Sequence, residues 1–256
     1  MVVRKCGEDV ERNEKIVTSI VASVMMVTTA QVLGALDLAY LVDEQALDIQ
    51  LQTDGSALVA ERIRYSSFHA SNFQHRISLL DYEISDLTVS LYEPTQQAFV
   101  EIPQLSDELH SHIATYYRLK IIADEVAQIQ LYNASDERHL TFQFTYRIDN
   151  LVATRHPETT ELIMFDCQEG LLLPGADITG RVQFPRALPQ LNQQHQLKVD
   201  WHSVAQAAYW KLNSQQDALL FALPAHAQTT YSALQISLPN AVFDTHETEN
   251  NDETTN

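Results

Sequence analysis

Residues 140–148, LTFQFTYRI, place Leu140, Phe142, Phe144, Tyr146 and Ile148 at every second position, with Thr141, Gln143, Thr145 and Arg147 between them. A helix would scatter those five apolar residues around its circumference. An extended strand puts them all on one side. The stretch therefore reads as a half-buried strand of an antiparallel sheet. The same period recurs in Ala46 to Gln52 and in Ala57 to Tyr65, which flank Thr53-Asp54-Gly55-Ser56. An Asp-Gly pair between two such runs signals a hairpin, because Gly accepts the positive φ of a tight turn. Further strands are expected at 74–79, 87–92, 98–102, 117–122, 126–132, 161–165, 178–184, 196–201 and 231–238. Many short strands with few helical signals indicate a mainly β fold, an antiparallel β-sandwich. One stretch reads differently. Ser203 to Leu212 is Ala-rich, and Ser203 could cap it, so a short helix or irregular crossover is expected there.

A second constraint lies near the start. Ile16 to Leu36 runs 21 residues without a charge. At about 1.5 Å per residue, a helix of that length spans roughly 30 Å, the thickness of a bilayer core. The segment also serves as a signal-peptide h-region, with Thr28-Thr29-Ala30 offering small residues for cleavage before Gln31. The reading is a single N-terminal hydrophobic helix, either signal peptide or membrane anchor. Residues 1–15 precede it as a cytoplasmic n-region in which four basic and four acidic residues cancel. An extracytoplasmic β-sandwich domain follows over 42–243, and residues 244–256, polar and acidic, read as a disordered tail.

The punctuation of the strands is specific enough to compare. The stretches LDIQLQTDGSALVAERIRY (47–65), FHASNFQHRISL (68–79), FQFTYRIDNLVATRHPETTELIMF (142–165) and ALQISLPNAVF (233–243) carry it. They resemble a bacterial family of predicted membrane proteins, a domain of unknown function (family 2207). The matching positions are Asp54 and Gly55 in the turn, and Glu61, Ile63 and Tyr65 in the strand after it. Phe73 and Arg76 match next, then Tyr146, Ile148, Asn150, Leu151 and Val152. The resemblance implies an exported domain behind a signal sequence. It brings no catalytic residues with it.

The remaining chemistry is sparse. Acids number 34 against 16 Lys plus Arg, a net charge of -18. That balance repels phosphate backbones, so nucleic acid is not an expected partner. Cys6 and Cys167 have no CxxC spacing, and Cys167 reads as a small core residue. His110 and His112 have a spacing that suits two ligands on one strand face, but nothing supplies a third, and Glu108 beside them reads as a loop charge. His69 and His75 read as surface or packing residues. Gly55-Ser56 is turn chemistry, since no GxSxG nucleophile elbow exists. Trp201, Tyr209 and Trp210 are either core fillers or a sugar-stacking platform. No catalytic, cofactor or metal residue is assigned. The expected role is a non-catalytic binding or assembly domain of the cell envelope, with a glycan hydrolase or a carbohydrate-binding module as alternatives. Its partners would be the membrane, through an uncleaved N-terminal helix, and other envelope proteins or glycans.

Overall fold

The computed structural model describes residues 40–67, 71–78, 83–106, 113–122, 126–149, 151–152, 161–166, 171–188, 197–204, 207–229, 231–238 and 243. The hydrophobic segment 16–36, the tail 244–256, both cysteines, Glu108, His69, His110 and His112 lie outside them. The described chain is mainly β. An eight-stranded sheet runs β12 (Tyr209–Leu212), β13 (Ala218–Leu223), β10 (Asp177–Gln183), β1 (Tyr40–Leu51), β2 (Ala57–Ser67), β8 (His139–Asp149), β4 (Glu83–Glu93) and β5 (Ala98–Glu101). Two three-stranded sheets accompany it. One is β3 (Asn72–Ser78), β7 (Val126–Asn133) and β6 (Thr115–Ile122). The other is β11 (Lys198–His202), β14 (Ala233–Leu238) and β9 (Glu161–Asp166).

Register explains why one face of the large sheet is the core. Directly paired residues share a face, and the pairs Ile49↔Val59, Val59↔Tyr146, Ile63↔Phe142, Phe144↔Val89 and Val182↔Leu219 carry apolar side chains right across it. Ile49, Ile63, Phe142, Phe144, Val89, Val182 and Leu219 have no measurable exposure. Residues of both small sheets reach this face. Phe73 of β3 meets Phe142 at 6.0 Å between ring centroids, and Trp201 of β11 meets Phe221 edge-on at 6.1 Å. The opposite face is polar. There Arg64 pairs with Asp43 and Glu44, Arg147 with Asp54 and Asp149, and Arg181 with Asp48. Such exposed pairs contribute about 0–1 kcal/mol each, so the buried face dominates stability.

The hairpin read at Asp54-Gly55 joins β1 to β2. Gly55 has φ +82°, and the Asp54 carboxylate accepts hydrogen bonds from the Ser56 hydroxyl (2.6 Å) and amide (3.0 Å). Those bonds, and the neighbouring Arg147, hold the Asp54 carboxyl below its ordinary value. The strand expectations at 74–79 through 231–238 correspond to β3–β7, β9–β11 and β14, shifted by a few residues at their ends.

Three features differ from the sequence reading. Of the short helix or irregular crossover expected over 203–212, the described residues form no helix. Ser203 has φ +53°, which is incompatible with the extended backbone of an N-cap, and Tyr209–Leu212 is strand, paired antiparallel to β13. Strand β13 itself, ALLFAL, lacks alternation, because five of its six residues are buried. Finally, β1 pairs with β10 in parallel, while the other named strand pairs are antiparallel.

Gly180 lies opposite Phe221, and a Cβ built on it would stand 2.1 Å from the tip of that ring. The ring occupies the space a side chain would need. Gly180→Ala is therefore expected to destabilise the protein by about 1–3 kcal/mol through overpacking. Thr179→Ala, at an exposed neighbouring position, should be near neutral. Urea denaturation midpoints of the two variants make the comparison.

Candidate functional site

Three polar side chains occupy inward positions among the apolar residues of their strands. Gln45 precedes Leu47 and Ile49 on β1, Glu61 lies between Val59 and Ile63 on β2, and His75 lies between Phe73 and Ile77 on β3. All are sealed from solvent, at 1%, 1% and 4% exposure. They meet at the Glu61 carboxylate. Gln45 Nε2 donates to Oε1 at 2.6 Å, His75 Nε2 donates to Oε2 at 3.0 Å, and the Tyr146 hydroxyl of β8 donates to Oε2 at 3.3 Å. Gln45 also ties down the chain before β10, since its Nε2 donates to Leu171 O (2.6 Å) and its Oε1 accepts from Leu173 N (2.8 Å).

The imidazole tilts over Phe144, with centroids 4.4 Å apart. His75 Nδ1 is buried without a hydrogen bond. A ring that donates from Nε2 and leaves Nδ1 bare avoids an orphaned N–H, so the network assigns the Nε2–H tautomer. Burial pushes the Tyr65 and Tyr146 phenols well above their ordinary value, and the Glu61 charge pushes both further. The arrangement contains an acid, an imidazole and a phenol, yet no substrate can reach them. Its chemistry is structural, because it satisfies a buried carboxylate with three donors from three other strands.

The accessible polar site lies at the end of the small β3–β7–β6 sheet. A cleft of about 750 Å³ is lined by Ser66, Ser67, Ser71, residues 133–135 and residues 136–139, and nine of these ten positions are polar. Its walls are fixed. Ser67 N donates to Arg138 O, Asn133 N donates to Ser71 O, and the Asn133 side chain bonds both the Ser135 hydroxyl (2.7 Å) and the Ser135 amide (3.2 Å). Hydroxyls, amides and the charges of Asp136, Glu137 and Arg138 offer hydrogen-bonding groups along its walls.

Two of the lining residues, Ser66 and His139, meet Asp43 of β1, a set that invites comparison with a hydrolytic triad. The geometry differs. The Ser66 hydroxyl donates to Asp43 Oδ2 at 2.5 Å, and His139 Nδ1 lies 3.0 Å from Ser66 Oγ and 3.8 Å from the same Asp43 oxygen. In a triad, opposite ring nitrogens face the serine and the acid. Here one nitrogen faces both, and the serine proton goes to the carboxylate. The trio clasps β1, β2 and β8.

The other sequence candidates separate. His75 is the packing residue expected of it, but paired with Glu61. Gly55 and Ser56 serve the hairpin. Trp201 packs against the core, whereas Tyr209 and Trp210 are exposed on the edge strand β12, at 55% and 40%. Among the described residues no group of three or more His, Cys, Asp and Glu side chains could hold a metal ion. Sequence reasoning missed Gln45 and Glu61 as a pair. The signal available was parity, since each occupies a position that its strand otherwise gives to apolar residues.

Comparison with known proteins places these motifs. The model of the family described as "Predicted membrane protein (DUF2207) N-terminal domain" matches residues 42–254, and the chain belongs to this family. No curated protein matches the sequence. Solved structures give distant likenesses. A putative nutrient binding protein from Legionella pneumophila has 7% identity and a TM-score of 0.40, over 77% of this chain and 67% of that one. Leukotriene A4 hydrolase from Saccharomyces cerevisiae has 7% identity and a TM-score of 0.43, over 78% of this chain and 29% of that one. An M1 zinc metallopeptidase from Deinococcus radiodurans has 8% identity and a TM-score of 0.40, over 78% of this chain and 42% of that one. This chain thus spans less than half the length of the two enzymes. No helix among the described residues is long and apolar enough to cross a membrane.

Two outcomes follow from the buried network. Glu61→Ala, which strands three donors, should cost about 3–5 kcal/mol in urea denaturation. The phenols give a pH signature. The folded chain holds the Tyr65 and Tyr146 protons beyond the pH at which unfolded tyrosine releases them, about 10. The stability they contribute is whole below that pH and falls as pH rises above it. Phenolate absorbance in alkali should therefore show a late fraction that appears only as the sheet unfolds.

Proposed function

We propose that this chain is a non-catalytic binding domain of the bacterial cell envelope. In this reading, residues 42–243 form a β-sandwich on the extracytoplasmic side of the membrane, preceded by a hydrophobic helix at 16–36 that either anchors the domain or is removed on export. The ligand is a glycan, or a hydroxyl-rich segment of another envelope component, held in the cleft between Ser71 and residues 133–139. The observation that carries the reading is the cleft itself. It is open, its walls are hydrogen-bonded in place, and nine of the ten described residues that line it are polar. The buried Glu61 cluster is sealed away from any substrate. Membership of a predicted membrane protein family supports the location.

The acidic balance supports an extracytoplasmic life by keeping the domain soluble. A carbohydrate-binding alternative centred on aromatic stacking has Tyr209 and Trp210 in its favour, exposed on β12, while Trp201 faces the core.

Protease shaving of intact cells should remove the domain, while a cytosolic marker survives. Glycan-array binding should be lost in Ser135→Trp, which fills the cleft, and kept in Trp210→Ala. Loss in Trp210→Ala alone would move the site to β12. Release of reducing sugar from a bound glycan would contradict the non-catalytic reading.

A further inference from the structure

The outward face of the β3–β7–β6 sheet has a charge opposite to that of the chain as a whole. Register puts Arg76, Gln128 and Lys120 in one row across the three strands, and Gln74, Gln130 and Arg118 in the next. No acid occupies these six positions, in a chain where acids outnumber Lys plus Arg by 34 to 16. Arg76 and Lys120 stand two strand spacings apart, about 10 Å. Neither makes an ion pair among the described residues. On the large sheet, by contrast, Arg64, Arg147 and Arg181 each meet carboxylates.

Aromatic and aliphatic groups accompany the cations. Tyr116 and Tyr132 stack at 4.5 Å, and the Arg118 guanidinium lies 5.6 and 5.5 Å from their ring centres. The last four residues of β6 are all exposed, three of them aliphatic: Leu119 at 36%, Ile121 at 47% and Ile122 at 37%. Of these, Ile122 shares the face of Lys120 and Arg118, whereas Leu119 and Ile121 pair with Ile129 and Ala127 and lie on the other side. An exposed aliphatic beside Lys and Arg, with tyrosines at the margin, suits a surface that lies against lipid headgroups.

We infer that this face is where the domain rests on an anionic bilayer. A chain of charge -18 is repelled by such a surface unless it turns its cationic face towards it. Membership of a membrane protein family puts a bilayer within reach. Headgroup phosphates meet Arg76, Arg118 and Lys120, and Ile122, on the same face as Lys120, enters the interface. The inference does not depend on the cleft or its ligand.

The test is amide hydrogen exchange on the full chain, reconstituted in phosphatidylcholine vesicles with or without phosphatidylglycerol. Reconstitution holds the hydrophobic segment constant, so only the headgroup varies. Peptides from 72–78 and 115–122 should exchange several-fold more slowly with phosphatidylglycerol present. The difference should vanish at about 1 M salt, where the Debye length falls to about 3 Å. It should also vanish in the double variant Arg76→Glu with Lys120→Glu. Unchanged exchange in 57–66 and 140–148 shows that the variant is folded, and Arg76→Gln with Lys120→Gln, giving a partial loss, serves if the reversal unfolds it. Equal exchange in the two lipids would overturn the inference, as would protection that survives charge removal. Protection by a soluble acidic polysaccharide and not by phosphatidylglycerol would overturn it too, and would assign the face to a polymer.

Discussion

Four strands and the approach to a fifth meet at one buried carboxylate. Glu61 lies on a central strand of the large sheet, at a position where its neighbours are Val59 and Ile63. A carboxylate in such a place is costly unless its oxygens are satisfied, so the surrounding chain is bound to supply donors. It supplies them from β1, β3 and β8, and Gln45 extends the same network to the backbone at 171 and 173. One residue thus couples the large sheet, a small sheet and the approach to β10. Apolar packing provides most of the stabilisation and already disfavours a one-residue slip, which would turn every core side chain outward. The network fixes which strand lies against which, because a slip of one residue would turn Glu61 outward and leave Gln45 and His75 stranded.

The same argument separates structure from function. Acid, imidazole and phenol together resemble a reactive centre, and their burial removes them from any reaction. What remains accessible is a polar cleft at one end of the small sheet and, along its outer face, a cationic stripe on an acidic protein. Both suit holding rather than transforming. The stripe lies on the three-stranded layer and the cleft where the end of that layer meets β2 and β8, while the opposite face of the large sheet neutralises its own charges pairwise.

Much of this could be read in the sequence, and the failures have physical causes. The strand at 140–148 and the Asp54-Gly55 hairpin were legible because one face is wet, so the period of two survives. Strand β13 was not legible, because it is buried nearly throughout and ALLFAL shows no period at all. The residues around Ser203 suggested a helix on composition alone, and pairing to β13 overrode that weak preference. The resemblance quoted Glu61, Tyr65, Phe73 and Tyr146 as separate pattern positions. Only the fold shows that Glu61 and Tyr146 bond one another and that Tyr65 and Phe73 stack beside them at 5.2 Å. The cationic rows were invisible in sequence, since Arg76, Arg118 and Lys120 come from two strands that only register brings onto one face.

The central claim is that Glu61 and His75 act as one structural unit. A double-mutant cycle tests it most directly, with Glu61→Leu, His75→Phe and the pair compared in urea denaturation. If the two are coupled, the paired replacement costs less than the sum of the single ones by about 1 kcal/mol or more, because neither polar partner is left alone in the core. Strictly additive costs would contradict the account, for they would mean that the two side chains hold their places independently.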